Sequence, residues 1–261
     1  MVAVIIYLAG GIALYFFQDK IIFHPAALPE EYQYNFPVPF REINLAVTKE
    51  KKISIIQFKV PDTLSRGVVL YFHGNMQNIN RYAGFASDIT RNNYEAWMID
   101  YPGFGKSTGK RSEKIIYEDA LRLYQIARAR YSPDSIILYG RSIGTGVASQ
   151  LASVRDCKTL ILEAPYYSLE ALARQYFFIY PVAAMSEYSF PVYRYFEKIS
   201  IPIYIFHGTD DEVIPYKNAL RLMDLKKNNV EFITIKKGKH NNLRDFPMFQ
   251  EKLDSILMGG N

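Results

Sequence analysis

The sequence predicts an α/β fold in which a mostly parallel, doubly wound sheet is covered by helices on both faces. Short runs that are apolar on both faces recur from residue 67 onward, and amphipathic helical patterns lie between most of them. Strands of that kind, alternating with helices, are typical of parallel sheets. The length of 261 residues suits one large α/β domain or two small ones. Any site should then lie beyond the carboxyl ends of the strands.

The composition excludes several classes of protein. Hydrophobic residues make up 49% and charged residues 22%, so wholesale disorder and fibrous folds are excluded. The net charge is +5 and no Lys/Arg run exceeds two residues, so we expect no nucleic-acid partner. The scattered positive charge fits solvated side chains or a face near anionic lipid. The single cysteine, Cys157, excludes an intrachain disulfide and a cysteine-based zinc site.

The start of the chain is the first element. Residues 1–17 carry no charged or strongly polar side chain, and a helix of that length rises about 25 Å, at the short end of a membrane span. Their flanks lack the basic region and the small-residue cleavage site of a signal peptide. We predict that residues 1–24 form an uncleaved, single-pass membrane anchor that contacts the membrane through residues 1–17. A buried core helix or an amphipathic surface helix is the alternative. One flanking basic residue, Lys20, leaves the side of the membrane open.

Residues 25–261 are predicted to form the domain itself. A proline-rich stretch at 25–41 runs over the surface, and the runs at 42–47 and 53–60 form a hairpin. Six further strands are predicted at 68–72, 94–99, 135–139, 159–163, 202–206 and 230–235. Amphipathic helices are predicted at 78–91, 113–130, 143–153, 216–226 and 246–258.

A long aromatic segment interrupts the alternation of strands and helices. Residues 165–196 contain eleven aromatic side chains, and a connection of this length usually has a function or helices of its own. We predict a cap over about 165–197. Its rings either form a satellite core or wall an apolar substrate pocket, and the two roles are compatible. The residues predicted to line the pocket are Tyr166, Tyr167, Phe177 and Phe178.

A G-x-S-x-G motif carries the first chemical signal. Gly140-Arg141-Ser142-Ile143-Gly144 follows one predicted strand and opens a helix, which is the context that a nucleophile elbow requires. A Cβ at either glycine should collide with the neighbouring strand or helix. The turn leaves Ser142 at a helix N-terminus, which favours developing negative charge. A serine that only caps the helix is the alternative.

A base and an acid are available at two later strand ends. Among the four histidines, His240 follows the last strand and can approach Ser142 from the same edge of the sheet. His73 and His207 are expected to bond locally, and His24 to lie at the surface. The adjacent Asp210 and Asp211 follow the strand at 202–206. A single loop Asp can also serve a turn.

The oxyanion of a tetrahedral intermediate needs backbone donors. The N–H after the nucleophile, that of Ile143, is one, and Asn75, with Met76 behind it, supplies the second from the loop after the strand at 68–72. The glycine-rich segment 100–107 is expected to form a tight turn beside the site rather than a nucleotide cradle.

Together these motifs resemble the α/β-hydrolase superfamily, in the ABHD-type branch with an N-terminal membrane segment. The resemblance rests on YFHGN at 71–75, DYPGFGKS at 100–107, YGRSIGTG at 139–146, HGTDDEVIP at 207–215, GKHNN at 238–242 and FQDKIIFHP at 17–25. It implies the α/β-hydrolase fold and the triad order Ser142, Asp211, His240. It also implies ester, thioester or occasionally amide hydrolysis without a metal or cofactor.

The prediction is therefore a membrane-anchored serine hydrolase that cleaves an ester or thioester through an acyl-enzyme on Ser142. The aromatic cap and the anchor favour an acyl substrate, either a lipid or an acylated protein. A peptidase or an acyltransferase with the same triad is the alternative, as is a non-catalytic, membrane-bound interaction module.

Overall fold

The structure of the chain, a computed structural model, describes residues 1–225 and 228–259. Residue 226 of the helix predicted at 216–226, and residues 226–227 and 260–261 of the predicted domain, lie outside the described residues.

Eight strands form one sheet. They are β1 (Phe40–Ala46), β2 (Lys52–Phe58), β3 (Gly67–Phe72), β4 (Tyr94–Ile99), β5 (Ile136–Arg141), β6 (Thr159–Glu163), β7 (Ile203–Gly208) and β8 (Val230–Ile235). Their order across the sheet is β8-β7-β6-β5-β3-β4-β2-β1. Strands β3 to β8 are parallel, whereas β2 is antiparallel to both β1 and β4. The predicted hairpin and mostly parallel sheet are confirmed, and each strand lies within two residues of its prediction.

Besides short 3₁₀ helices at Pro133–Ser135 and Leu243–Asp245, ten α-helices are present in the described residues. They are α1 (Val2–Ile22), α2 (Ile79–Tyr82), α3 (Gly84–Thr90), α4 (Glu113–Arg128), α5 (Gly144–Ala152), α6 (Leu169–Tyr176), α7 (Val182–Met185), α8 (Val192–Phe196), α9 (Lys217–Leu225) and α10 (Pro247–Met258). The helix predicted at 78–91 is divided into α2 and α3 at Ala83, next to Gly84, because glycine is a poor helix former. The segment predicted as a cap, about 165–197, contains α6, α7 and α8.

Alternating residues of the sheet contribute to two hydrophobic cores, one on each face. Val68 and Leu70 of β3 pack on one face with α4, α5, α8 and α9, while Val69 and Tyr71 pack on the other with α2, α3 and α10. All six residues of β3, β4 and β5 are buried. A sheet covered on both faces explains why these strands read as continuous apolar runs.

Helix α1 lies largely outside these cores: it contains no buried residue, and Ile22, its last residue, packs against the first core. Within residues 1–225 and 228–259 it is the one helix that is long and apolar enough to cross a membrane. It ends at the buried Phe23, and the two residues after Phe23 pair in parallel with Met76 and Gln77. The end of α1 is thereby attached to the loop that follows β3.

Candidate active site

Ser142 lies on a sharp turn between β5 and α5. Its φ is 52°, in the left-handed region that residues other than glycine seldom adopt. A Cβ on Gly140 would lie 2.4 Å from the carbonyl oxygen of Gly144, and one on Gly144 would lie 2.0 Å from that of Phe72. The collisions expected from the motif are therefore present, one with the helix and one with the neighbouring strand. Only glycine lets β5 turn this tightly into α5.

Three side chains from different strand ends meet at this turn. His240 Nε2 lies 3.0 Å from Ser142 Oγ, and His240 Nδ1 lies 2.8 Å from Asp211 Oδ2. With Nδ1–H donating to the carboxylate, Nε2 is free to accept the serine proton. Asp211 follows β7 and His240 follows β8, so parallel strands bring together residues almost 100 positions apart. The arrangement suits nucleophilic catalysis, in which a base activates a hydroxyl and an acid orients the base.

The carboxylate of Asp211 is fixed through its other oxygen. Oδ1 accepts backbone hydrogen bonds from Val213 at 2.9 Å and Ile214 at 2.7 Å. Burial alone would raise the pKa of Asp211, but the hydrogen bonds from His240 and Ile214 outweigh it, so the pKa is lowered. Asp211 therefore stays ionised and can stabilise an imidazolium. Asp210 is exposed and accepts a hydrogen bond from the Thr209 hydroxyl at 2.8 Å.

Two backbone N–H groups border Ser142. Asn75 lines the same cavity as Ser142, and Ile143 follows Ser142 at the start of α5. Within residues 1–225 and 228–259, the N–H groups of Asn75 and Ile143 have no acceptor in the protein. Met76 lines the cavity too, but its N–H is directed at the Tyr82 hydroxyl. Asn75 and Ile143 are thus better placed than Met76 to donate to an oxyanion.

The loop of Asn75 is tied to the end of α1. The Asn75 side chain donates to the Ile22 carbonyl at 2.6 Å, and the N–H of His24 donates to the Asn75 carbonyl at 2.8 Å. Asn75 is therefore held on both its side chain and its backbone.

A buried ion pair that sequence reasoning missed lies beneath the site. Arg141 Nε is 2.9 Å from Glu163 Oε1, and the Arg141 guanidinium donates to the His240 carbonyl at 3.2 Å and to the Asn241 side chain at 3.1 Å. Burial would lower the pKa of Arg141, but the Glu163 carboxylate raises it above its usual value. Arg141 therefore fixes the loop that carries His240. The sequence signal that could have pointed to Arg141 was its position in the G-x-S-x-G motif, next to Ser142.

The remaining histidines have other roles. His207 Nε2 donates to the Ile214 carbonyl at 2.8 Å, and burial lowers the pKa of His207. His73 Nδ1 lies 2.7 Å from the Gly74 carbonyl, and its Nε2 lies 3.3 Å from Asp100. Both bond locally, as expected. His24 is exposed but lines the cavity of Ser142, which the sequence did not suggest.

The cavity at Ser142 measures about 210 Å³. It is lined by His24, Gly74, Asn75, Met76, Arg81, Tyr82, Arg141, Ser142, Val213, His240 and Asn241. Two arginines and no carboxylate are among these lining residues of the described chain. No group of three or more His, Cys, Asp or Glu side chains in residues 1–225 and 228–259 is placed to hold a metal ion.

The four aromatic residues predicted to line the substrate pocket lie elsewhere. Tyr166 is buried in the core and its hydroxyl donates to the Ile143 carbonyl, while Tyr167 stacks on Tyr193 at 4.6 Å. Phe177 lines a cleft between the cap and α1, and Phe178 is 81% exposed. None of the four lines the described cavity at Ser142, because the cap packs against α1 and the core instead.

The chain is similar to known hydrolases in sequence and in structure. Residues 63–191 match the family model described as Hydrolase_4, serine aminopeptidase S33. Alpha/beta hydrolase domain-containing protein 17C from Xenopus tropicalis is 34% identical over 74% of this chain and 62% of its own length. The human protein of that name is 33% identical over 74% of this chain and 58% of its own. The chain thus spans about 60% of the length of these curated relatives.

Among solved structures, an esterase of Pyrococcus furiosus superposes with a TM-score of 0.69 at 19% identity. It covers 91% of this chain and 99% of its own length. At this identity the likeness concerns the fold alone.

Proposed function

We propose that this chain, which belongs to the ABHD-type α/β-hydrolases, is a membrane-anchored serine hydrolase that cleaves an acyl ester or thioester. The observation that carries the proposal is the chain of hydrogen bonds from Ser142 through His240 to Asp211, at 3.0 and 2.8 Å. The first contact has the length that proton transfer from a nucleophile to its base requires, and the second has the length of a hydrogen bond that orients the base.

The mechanism proceeds through an acyl-enzyme. His240 Nε2 takes the proton of Ser142 as Oγ attacks the substrate carbonyl, and the ionised Asp211 stabilises the resulting imidazolium. The N–H groups of Ile143 and Asn75 donate to the oxyanion. His240 then returns its proton to the leaving group, and water releases the acyl group by the same steps in reverse. No metal or cofactor takes part in this proposal.

The cavity favours an acyl substrate over the α-amino terminus of a peptide. An aminopeptidase binds a protonated amine, which calls for a carboxylate near the scissile bond. The described residues that line the cavity of Ser142 include Arg81 and Arg141 and no carboxylate. The substrate is accordingly proposed to be a lipid or an acylated protein.

The anchoring role is proposed for α1. Its support is that residues 2–17 of this helix are apolar on all sides and that the helix has no buried residue, which suits lipid better than a single packed face. Polar residues begin at Gln18 and Asp19, at the end that joins the domain.

The mechanism is tested by replacing the nucleophile. Ser142→Ala should abolish the hydrolysis of p-nitrophenyl esters and labelling by a fluorophosphonate probe, with little change in thermal unfolding. Ser149→Ala is the matched control, because Ser149 lies in α5 and its hydroxyl has no partner in the described protein. The Ser149→Ala variant should hydrolyse the esters and react with the probe as the wild type does. Hydrolysis by Ser142→Ala close to the wild-type rate would refute the mechanism.

The substrate class is tested by comparison of leaving groups. We expect p-nitrophenyl esters of increasing chain length and an acyl-thioester to be turned over faster than an amide or a peptide. An added alcohol or amine acceptor that gives more transfer product than hydrolysis would identify an acyltransferase instead. An unreactive Ser142 with no turnover of any substrate would indicate a non-catalytic module.

A further inference from the structure

The tip of the cap follows α1 over much of its length. The rings of Tyr7 and Tyr180 stack with centroids 4.9 Å apart, and the Tyr7 hydroxyl donates to the Ile179 carbonyl at 3.1 Å. Toward the other end of α1, the Gln18 side chain accepts from the N–H of Glu187 at 2.7 Å. Segment 179–187 therefore runs beside α1 from the level of Tyr7 to that of Gln18.

The domain end of α1 is marked by its polar contacts. The Asp19 carboxylate accepts from Arg111 at 2.7 Å and from the Tyr188 hydroxyl at 2.7 Å. Gln18 and Asp19 thus mark the level at which a spanning α1 would leave the hydrocarbon. Tyr7 lies eleven residues before Gln18, about 16 Å along the helix axis at 1.5 Å per residue. Half of a hydrocarbon core is about 15 Å thick, so Tyr7 would lie near its middle.

We infer that the tip of the cap, residues 177–185, enters the hydrocarbon layer of the membrane beside α1. This inference rests on the anchoring role proposed for α1, because a tip that touches Tyr7 must share its depth. The partner of this surface is the acyl layer of a lipid bilayer.

The composition of the tip fits that partner. Residues 175–186 carry no charge, and the nearest charged side chains are Arg174 and Glu187. Phe178 is 81% exposed and Ile179 is 57% exposed, adjacent to the exposed apolar surface of α1. A water-facing tip would leave this continuous apolar surface uncovered, whereas lipid covers it.

The tip is also built to pack closely on α1. A Cβ on Gly10 would lie 2.2 Å from the Tyr180 hydroxyl oxygen, so a larger residue at position 10 would force the Tyr180 ring to shift. Small residues allow close contact between membrane elements in this way. Irregular backbone at membrane depth must be bonded within the protein. Part of this bonding is present in the tip: the N–H of Tyr180 donates to Phe177, that of Val182 donates to Tyr180, and the Ile179 carbonyl accepts from Tyr7.

The depth of the tip is measured with a fluorescent label. Cys157 is buried and burial raises the pKa of its thiol to about 12, so the natural cysteine should not react with an iodoacetamide dye at pH 7. Variants of the full chain, Phe178→Cys, Ile6→Cys and Lys114→Cys, are labelled with the environment-sensitive dye NBD. They are reconstituted in phosphatidylcholine vesicles that contain lipid with a doxyl quencher at carbon 5 or carbon 14. Ile6 is 66% exposed at the depth of Tyr7, and the Lys114 side chain is 86% exposed on α4.

We expect the label at position 178 to be quenched by 14-doxyl lipid as strongly as the label at position 6, with no quenching at position 114. Quenching at position 6 without quenching at 178 overturns the inference and leaves the anchor intact. Quenching at 178 by 5-doxyl lipid alone also overturns it, since the tip would then lie near the headgroups and not at the depth of Tyr7. If neither position is quenched, the anchoring proposal fails together with the inference.

An activity measurement tests the insertion of the tip independently of the catalytic proposal. Phe178→Asp should hydrolyse a soluble short ester at the wild-type rate, because Phe178 does not line the described cavity at Ser142. It should lose about tenfold or more in the hydrolysis of an acyl ester embedded in vesicles, the factor expected for one large apolar side chain leaving the hydrocarbon. Equal rates on vesicles for both proteins would overturn the inference.

Discussion

Asp210 and Asp211 are neighbours in sequence, but their carboxylates have different surroundings. Asp211 bonds to His240 at 2.8 Å and to two backbone N–H groups, whereas Asp210 is exposed and bonds to Thr209. Consecutive side chains in a loop point in different directions, so one of the two reaches the imidazole.

The first residue-scale prediction concerns this pair. Asp211→Asn should lose several orders of magnitude in kcat, since the loss of a triad acid can cost about 10⁴ through the wrong histidine tautomer. Asp210→Asn, the matched control, should lose less than about tenfold, because a turn residue does not contact the base. Both are measured as kcat on a short p-nitrophenyl ester. The assignment of Asp211 fails if the two variants exchange their effects, or if neither matters.

The second residue-scale prediction concerns stability and pH. Burial alone would raise the pKa of Asp211 in the folded chain. Its hydrogen bonds to His240 and Ile214 outweigh burial, so the pKa is lowered. Its carboxylate therefore stabilises the fold above the unfolded pKa of about 3.9, and that contribution is lost as the pH falls through the lowered folded pKa. The difference in Tm between the wild type and Asp211→Asn should be largest near pH 7 and should shrink below about pH 4. A difference that stays constant from pH 7 to pH 3 would contradict this.

At the scale of elements, the sharp turn at Ser142 depends on the close approach of β5 and α5 to β3. The Gly144 Cα faces the Phe72 carbonyl, so the backbone of one strand occupies the space of a side chain. A backbone atom cannot move aside as the end of a long side chain can.

The glycine substitutions test this directly. Gly144→Ala should lower the free energy of unfolding by about 2 kcal/mol or more and should reduce activity, because the added methyl displaces the turn of Ser142. Gly84→Ala, the control, places its Cβ 2.8 Å from the end of the Arg244 side chain, which can move. It should cost less than half as much in a urea denaturation experiment. Equal losses for both variants would show that the close approach to β3 is not limiting.

At the scale of the whole molecule, α1 contacts the domain mainly through the cap and through the residues that follow it. Helix α1 has no buried residue, and Ile22, its last residue, is the part of it that packs against a core. Ile22 and His24, however, hold the loop of Asn75 at 2.6 and 2.8 Å. Helix α1 is therefore joined to the candidate site through its last residue, Ile22, and through His24, which follows it.

A prediction for a truncated chain follows from this arrangement. A chain that begins at Ile21 keeps both contacts to Asn75 and should hydrolyse soluble short esters within about threefold of the full chain. It should hydrolyse vesicle-embedded esters much more slowly, since it lacks α1. The measurement is kcat/KM on both substrates. A parallel loss on both would show that α1 supports the fold of the site rather than its location.

Much of this molecule was determined by local patterns in its sequence. The β-strands from β3 to β8 were predictable because a parallel sheet buries both faces, which leaves continuous apolar runs. The two glycines around Ser142 indicated the sharp turn, since the strand and helix on either side leave no room for a Cβ. The proximity of Ser142, Asp211 and His240 followed from their positions after parallel strands, whose carboxyl ends share one edge. The predicted family and the α/β-hydrolase fold are confirmed.

Only the tertiary structure decided which way the long cap packs and what lies beneath the site. Aromatic content in segment 165–196 does not distinguish a ring in the core, such as Tyr166, from one against α1, such as Phe177. The Arg141–Glu163 pair joins two adjacent strands, and the sequence around either residue does not indicate that the two form an ion pair. The placement of His24 in the cavity follows from the pairing of residues 24 and 76. Contacts of this kind depend on how distant segments meet, and a local pattern does not encode that meeting.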